Sequence, residues 1–535
     1  MSAGAARICR EAVLVAVVLA GLAPAAPARE ARAANPTLVR ADAAFEAGER
    51  DLARRLYRSV LASDPDNSRA TFQLAKLAPR GSAEALALLR RYVALEPSDP
   101  WGTMALGDDL ARAGRVEAAI EQYALARRRA PTEPDVYAGL GRIFRDAGRI
   151  DEAVDSFERW VSLRPGDPSA WIELGRARER AARHPEAARA YARALRIKAD
   201  ERSEERLENA LAEASPSLRP LLGSSDDSDG NRTERLGFEA EWPFTDRSRL
   251  GARWDRYEVS DALAEGTASA LALYAKWRPL AALAVEGSAG TARLRAPGSA
   301  GANHTLLGLR IRGKQSAQGL SGELRMARNP LIATPGLIAQ PVQLSEVKGT
   351  AEVPLFGPFR ARVRGQRGEL ESPVDVNHRS GYQFGPVYQW RPATEFGAFY
   401  GEQGYDRPST AGYFAPRRVQ LFELGTYLEY EGLWPLTLAL DAGAGRQRVA
   451  RHGEPVGEWT TSYRLWALAS WTLQPGVRLE LELEHYDSPL AGVGVSSAAE
   501  WRYDSVTLSL RFGVQREDAR AYLARGADRQ PAAGR

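Results

Sequence analysis

LELELEH, residues 479–485, decides how the second half of this chain folds. Leu479, Leu481 and Leu483 alternate with Glu480, Glu482 and Glu484. A period of two puts every leucine on one face of a strand and every glutamate on the other, whereas a helix would scatter both around its circumference. The pattern extends outward from there. VTLSLRF sets Val506, Leu508, Leu510 and Phe512 against Thr507, Ser509 and Arg511. RARVRGQR sets Arg360, Arg362 and Arg364 against Ala361 and Val363, and LGFEAEW sets Leu236, Phe238, Ala240 and Trp242 against Glu239 and Glu241. Some 14 or 15 such runs recur between about Arg235 and Phe512.

Many runs reach ten or more residues, the length at which a tilted strand crosses a bilayer. A soluble sandwich also alternates, but its strands are usually shorter and its polar face looks outward. Aromatics gather at run ends, at Trp242, Trp254, Tyr274, Trp277, Trp390, Tyr430, Trp434 and Trp501, as two interfacial girdles require. The polar face carries more Arg and Glu than a small filled barrel can bury, but a wide barrel with a wet lumen accommodates them. The expectation is therefore a transmembrane antiparallel β-barrel over 233–512. An even strand number is the rule, which makes 16 strands the expected count, or failing that 14.

The N-terminus reads as an export signal over 1–33. Arg7 and Arg10 precede an apolar run from Ala12 to Leu22, and Ala26-Pro27-Ala28 or Ala31-Arg32-Ala33 supplies a small-x-small cleavage site. Cys9, the chain's single cysteine, lies inside that segment. The mature chain then has no disulfide and no thiolate metal site, which suits a periplasmic or outer-membrane protein. No later stretch approaches 18 uninterrupted apolar residues, so a membrane crossing has to be made by a closed barrel. A net charge of +4 over 535 residues, with arginines scattered among acids, gives no support to nucleic-acid binding.

The first half repeats itself every 34 residues. Pro97, Pro131 and Pro165 keep that spacing, as do Gly107, Gly141 and Gly175, and Ala119, Ala153 and Ala187. Tyr123, Phe157 and Tyr191 follow, with Leu106, Leu140 and Leu174. This is the tetratricopeptide pattern of two antiparallel helices per unit. The glycine lets the two helices approach, the alanine and the ring pack between them, and the proline ends the second. About five units fit within 38–200, an all-α solenoid. Its surface serves either to dock a partner or as a spacer. Residues 201–222 read as a closing helix and GSSDDSDGN, 223–231, as a linker, so 201–232 separates repeats from barrel. The acidic run lacks the glutamate that ends a calcium loop.

Three segments in the barrel carry a resemblance. YDRPSTAGYFAPRR, 405–418, is similar to a loop of the outer-membrane subunit (protein C) of the cellulose synthase operon, which typically shows a Tyr-Asp pair followed by Gly-Gly-Tyr-Phe-Ser-Pro-Gln. Tyr405, Asp406, Gly412, Tyr413, Phe414 and Pro416 match, while Ala411, Ala415 and Arg417 depart. ARNPLIAT, 327–334, resembles the family's Arg-x-Pro segment at Arg328 and Pro330 without its Asp, and VDVNHRSGYQFG has Asn377 where the family has Asn. The order of the segments agrees, over about 300–512. The family usually carries more repeats, and the departures point toward a different glycan.

The resemblance implies an exopolysaccharide export channel in the outer membrane, with the repeats in the periplasm. It implies as partners a polysaccharide chain, outer-membrane lipid, and an inner-membrane glycan synthase complex or peptidoglycan at the repeats. A poly-N-acetylglucosamine-type glycan and a repeat scaffold anchored by a non-conducting barrel are the alternatives. Sugars stack on rings and exchange hydrogen bonds with Arg, Glu, Asn and Gln, through weak repeated contacts that let a chain move. Tyr405, Tyr413 and Phe414 are the candidate rings. Alternation puts Arg310, Arg312, Arg362, Arg364, Glu480 and Glu482 in the lumen. An enzyme is not expected. None of His184, His304, His378, His452 and His485 stands in a metal-binding spacing or beside a G-x-S-x-G elbow, so no metal and no cofactor are called for. His184 reads as a solvated residue of a repeat turn. Phe512 suits the terminal aromatic of such a barrel, and 23 residues follow it as a tail, 513–535.

Overall fold

The computed structural model describes residues 35–298, 300–314, 319–391, 393–433, 435–487, 502–514, 519 and 522–523. The proposed signal segment, Trp434, Trp501 and most of the tail lie outside them.

Among the described residues, eleven helices occupy the first part: α1 Pro36–Glu46, α2 Arg50–Ser63, α3 Ser68–Leu77, α4 Ala83–Leu95, α5 Pro100–Arg112, α6 Val116–Arg129, α7 Pro134–Asp146, α8 Ile150–Leu163, α9 Pro168–Arg180, α10 His184–Ile197 and α11 Glu201–Ala214. The chain divides into two compact units, 1–131 and 132–535. In the first, Ala41, Ala53, Tyr57, Val60 and Leu74 form a buried core. In the second, Phe157, Trp160, Leu174 and small alanines do the same for α7–α10. The repeated residues act as their chemistry predicts. Asp99, Glu133 and Asp167 cap α5, α7 and α9 through side-chain oxygens, each followed by a proline that suits the first turn. A Cβ placed on Gly141 would stand 2.4 Å from the Phe157 ring, and one on Gly175 2.5 Å from Tyr191. Glycine is required there because the ring occupies the space.

Sixteen strands follow: β1 Ser217–Asp227, β2 Arg232–Thr245, β3 Ser248–Ser260, β4 Glu265–Leu280, β5 Leu283–Arg295, β6 Ala302–Lys314, β7 Ser321–Pro330 and β8 Gln343–Pro354; then β9 Phe359–Glu371, β10 Val376–Arg391, β11 Thr394–Tyr405, β12 Arg418–Leu433, β13 Leu436–Ala450, β14 Thr460–Gln474, β15 Val477–Tyr486 and β16 Tyr503–Gly513. Each pairs antiparallel with its neighbours in sequence, and β1 closes on β16. The architecture is a tetratricopeptide-repeat domain followed by a closed 16-strand antiparallel barrel, with a single five-residue helix, α12 Pro335–Ala339, between β7 and β8.

The barrel starts earlier than its alternation signals. The closing helix ends at Ala214, and most of the supposed linker is β1. Its Gly, Ser and Asp residues hide the pattern, and Pro220 has no amide to donate. The β1–β16 ladder accordingly passes from Leu218↔Phe512 to Leu221↔Ser509 with Arg219 and Pro220 unpaired.

Register sorts the side chains. Leu236, Phe238, Trp242, Leu271, Leu273, Trp277, Phe422 and Leu424 share the outward face, and Leu424 keeps 70% of its surface exposed. An exposed apolar band of this extent on a closed barrel is the pattern of a wall that faces lipid. Tyr274 belongs to the other face. It is buried and its hydroxyl donates to Glu239, so it is no part of a girdle. Strand ends differ as well. On the side where β1 begins, successive strands are two to six residues apart, and on the far side four to sixteen. Short periplasmic turns and longer outer loops are the usual asymmetry.

Helices and near rim are tied together within the second unit. Arg249 donates to the Glu213 and Ser215 carbonyls at 2.7 and 2.8 Å, and Arg511 pairs with the Glu213 carboxylate at 2.9 Å. The Ala281 amide donates to Asp151 at 2.7 Å. His184 is therefore not a solvated turn residue. It opens α10 beside this cluster and faces a cavity of about 290 Å3 that Glu213, Arg249, Arg278 and Arg312 also line. Burial first, then Arg249, Arg278 and Arg511, hold its pKa below the usual histidine value, against the pull of Glu213.

Candidate functional site, the barrel lumen

Two far-side loops fold inward and meet. One, 331–342, carries α12, and its base is closed by the Leu331 amide donating to the Val342 carbonyl at 2.8 Å. The other, 406–417, is closed by the Tyr405 amide donating to the Pro416 carbonyl at 3.0 Å. Leu331, Leu337, Val342 and Leu344 pack with Leu370, Tyr405, Ala411, Tyr413 and Ala415 into one apolar core. On its other side Ile338 packs on Val259, Ala268, Ala292 and Leu294, which belong to the inward faces of β3, β4 and β5. The loops thus bridge the lumen from the β3–β5 wall to the β9–β11 wall as an apolar plug.

Asn377 holds the plug in place. It is fully buried; its Nδ2 donates to the Arg407 carbonyl at 2.8 Å, and its Oδ1 accepts the Arg407 and His378 amides at 3.2 and 3.0 Å. The Tyr413 hydroxyl bonds to Asn377 and Ser409, and burial pushes its pKa up, so the phenol stays neutral. Gly412 takes φ +81° at the loop's turn, a conformation L side chains rarely adopt.

This corrects the roles expected of the matched residues. Tyr405 and Tyr413 are each only 5% exposed, with ring centroids 6.0 Å apart, so they are plug core and present no ring to a passing sugar. Phe414 is half-buried and Pro416 buried. Asp406 is exposed, 3.7 Å from His378, whose strand position faces outward. Arg328 also lies on the outward parity, opposite Leu307, and pairs with Glu371 at 3.4 Å. An alternating strand ends in a loop, and there the two-residue rule no longer says which way a side chain points.

Within the strands it holds. Arg310, Arg312, Arg362, Arg364, Glu480 and Glu482 all lie on the lumen parity. Arg362 sits between Glu352 and Glu395 at 2.5 and 2.6 Å, Arg310 pairs with Glu323 at 2.7 Å, and Arg364 donates to Gln383 at 2.9 Å. The β15 side is different. Glu482 accepts from the Trp466 indole at 2.6 Å and Glu484 from Ser505 at 3.4 Å, and neither has a cationic partner within ion-pair distance among the described residues.

Space remains beside the plug. A cavity of about 710 Å3 runs between loop residues 330–333 and the β1, β2, β15 and β16 walls, lined by Asp227, Arg235, Tyr257, Glu484, Tyr486 and Tyr503 among others. A second, of about 330 Å3, is lined by Lys348, Arg364, Gln383, Glu423 and Arg464, and Tyr486 borders both. Between them they present hydroxyls, carboxylates, guanidiniums and the rings of Tyr257, Tyr486 and Tyr503. Sequence reading named none of those rings. Tyr486 continues the inward ladder of Glu480, Glu482 and Glu484, and Tyr503 continues that of Thr507 and Ser509, signals that were available; the register of β3 on its neighbours places Tyr257 in the lumen.

Residues 38–100, 75–134, 104–168 and 139–202 match a model of the tetratricopeptide repeat. Among solved structures, the MamA protein is 26% identical over 30% of this chain and 90% of its own, with a TM-score of 0.29. YrrB, described as a TPR protein with an unusual peptide-binding site, is 17% identical over 32% and 89%, with a TM-score of 0.28. A bacterial polysaccharide outer membrane secretin is 11% identical over 56% of this chain and 98% of its own, with a TM-score of 0.41. No curated protein sequence matches the chain.

Proposed function

We propose that the barrel is an outer-membrane export channel for an exopolysaccharide, with the repeat domain in the periplasm to dock a glycan synthase or guide the chain. One observation carries the reading. Of the segments that resemble cellulose exporters, 405–418 spans the second loop and 327–334 leads out of β7 into the first, and these two loops pack together inside the lumen and leave cavities open beside them. A glycan needs a path that offers many weak contacts and no tight trap. Rings at Tyr257, Tyr486 and Tyr503 with interleaved carboxylates and hydroxyls meet that need. The substrate on this reading is a cellulose-like glycan. On this reading the channel is a conduit.

The plug itself favours one competing reading, a barrel that anchors the repeats and conducts nothing. Deletion of the protein separates the two. Export predicts glycan lost from the medium and accumulated in the periplasm, and sugar analysis of the trapped material names the substrate. Unchanged pools would leave the anchor. Planar-bilayer conductance of the purified chain gives the same division without the cell.

A further inference from the structure

On the outward face of β10–β13, near the far rim, aromatic rings run from strand to strand. Phe384 meets Tyr400 with centroids 5.9 Å apart, Tyr400 meets Phe422 at 4.9 Å, and Phe422 meets Trp459 of the 451–459 loop at 5.5 Å. Rings gather in this way at the boundary between hydrocarbon and headgroups. Arg446 and Arg448 stand at and just beyond that boundary. Arg446 pairs in register with Phe422, and Arg448 with Gln420, one step nearer the rim. The two arginines share the outward face two residues apart, about 7 Å along the strand.

Their surroundings hold them in place without neutralising them. The Arg448 guanidinium lies over the Trp459 ring, 4.7 Å from its centroid, and its Nε donates to Gln420 Oε1 at 2.7 Å. Arg446 donates to the Trp459 carbonyl at 3.3 Å. Neither has a carboxylate partner among the described residues. Some other outward arginines toward this rim do: Arg256 has Glu258 at 3.0 Å, Arg328 has Glu371 at 3.4 Å and Arg418 has Glu402 at 3.2 Å. Arg293, Arg295 and Arg367 have no carboxylate within ion-pair distance among the described residues either, but none of them lies over a ring of the aromatic belt as Arg448 does. Two uncompensated planar forks above an aromatic belt suit phosphate, which accepts them bidentately, while the rings meet the start of the acyl chains.

We propose that Arg446 and Arg448, positioned by Trp459 and Gln420, bind the phosphates of a bis-phosphorylated glycolipid of the outer leaflet. The proposal rests on the membrane reading, with the longer loops outermost. To test it, the full chain is folded into phosphatidylcholine vesicles that contain a bis-phosphorylated lipid A, its dephosphorylated form or neither, and insertion is checked by protease protection. Native mass spectrometry and melting then report lipid retention. The wild type should retain and be stabilised by the phosphorylated lipid alone. R446Q/R448Q should lose about tenfold or more in affinity, the scale of two charge-assisted hydrogen bonds, while R256Q, which touches a neutralised arginine, should not. Equal retention of both lipids, or an unchanged double variant, overturns the site. If inorganic phosphate alone reproduces the stabilisation, the site is a free-anion site and the lipid assignment falls. Failure of the wild type to insert overturns the membrane reading and takes this proposal with it.

Discussion

Two apolar cores in the second unit are built on opposite plans. Between α7 and α10, Phe157 fills the space left by Gly141, sixteen residues earlier, and the next unit repeats the arrangement with Tyr191 and Gly175. In the barrel mouth, Leu337, Leu370 and the pair Tyr405 and Tyr413 come from three separate stretches and meet only because the sheet has closed. The first core creates the fold that contains it. The second is an insert in a wall whose ladder is complete without it. Cutting each should therefore give different kinds of damage.

The largest effect is expected at Phe157→Ala. The ring is fully buried, and its loss should cost the repeats about 4 kcal/mol, read by melting or by proteolysis of the helical region. Tyr413→Ala is the matching cut in the plug. It should leave the melting of the barrel sheet nearly unchanged and raise ion conductance. A barrel that melted with Tyr413→Ala would show that the plug supports the wall, and the contrast between the cores would be lost.

Asn377→Leu comes next. It leaves the Arg407 amide and carbonyl without their buried partner, a cost of about 2 kcal/mol confined to the 406–417 loop. Tryptic cleavage after Arg417, which is exposed, should speed up by about tenfold or more as loop opening becomes easier. Unchanged cleavage would mean the loop is held by its apolar contacts alone.

The junction of helices and near rim gives a smaller, pH-dependent effect. Unfolded His184 takes up its proton near the ordinary value of 6.5, and the folded residue only at lower pH. In between, the unfolded state binds the extra proton. Stability is thus complete at neutral pH and falls as pH drops below 6.5, with a slope of at most about 1.4 kcal/mol per pH unit. H184Q should flatten that slope in melting curves taken from about pH 7 to pH 5. A slope that survives belongs to another group. The smallest effect is expected at Glu484→Gln, a change of one lumen charge with no ion pair to break. Stability should not move, and the zero-current potential in a salt gradient should shift toward anions. No shift would place the conducting path away from β15.

Much of this molecule is legible because its rules are local. The period of 34 names the rings and glycines that fill one another's space, and a period of two names Arg310, Arg362 and Glu482 as lumen residues, since each depends only on near neighbours in the chain. Where a local signal is weak, reading fails: β1 reads as the end of a closing helix and the start of a linker because Pro220 and the Ser, Gly and Asp residues show no alternating apolar face, and its partners β16 and β2 supply the pairing. The plug lay outside any periodicity. The residues of 405–418 marked that loop as special, but their burial was decided by Leu337 and Leu370, which no spacing connects to them. The sequence by itself determined the repeat, the membrane-facing strands and the sidedness of each strand. Only closure of the barrel decided that two loops share one core, that Tyr405 and Tyr413 face it and not the passage, and that Tyr257, Tyr486 and Tyr503 line what remains open. The physical reason is that sidedness follows from the backbone's own geometry, whereas burial depends on what the rest of the chain brings alongside.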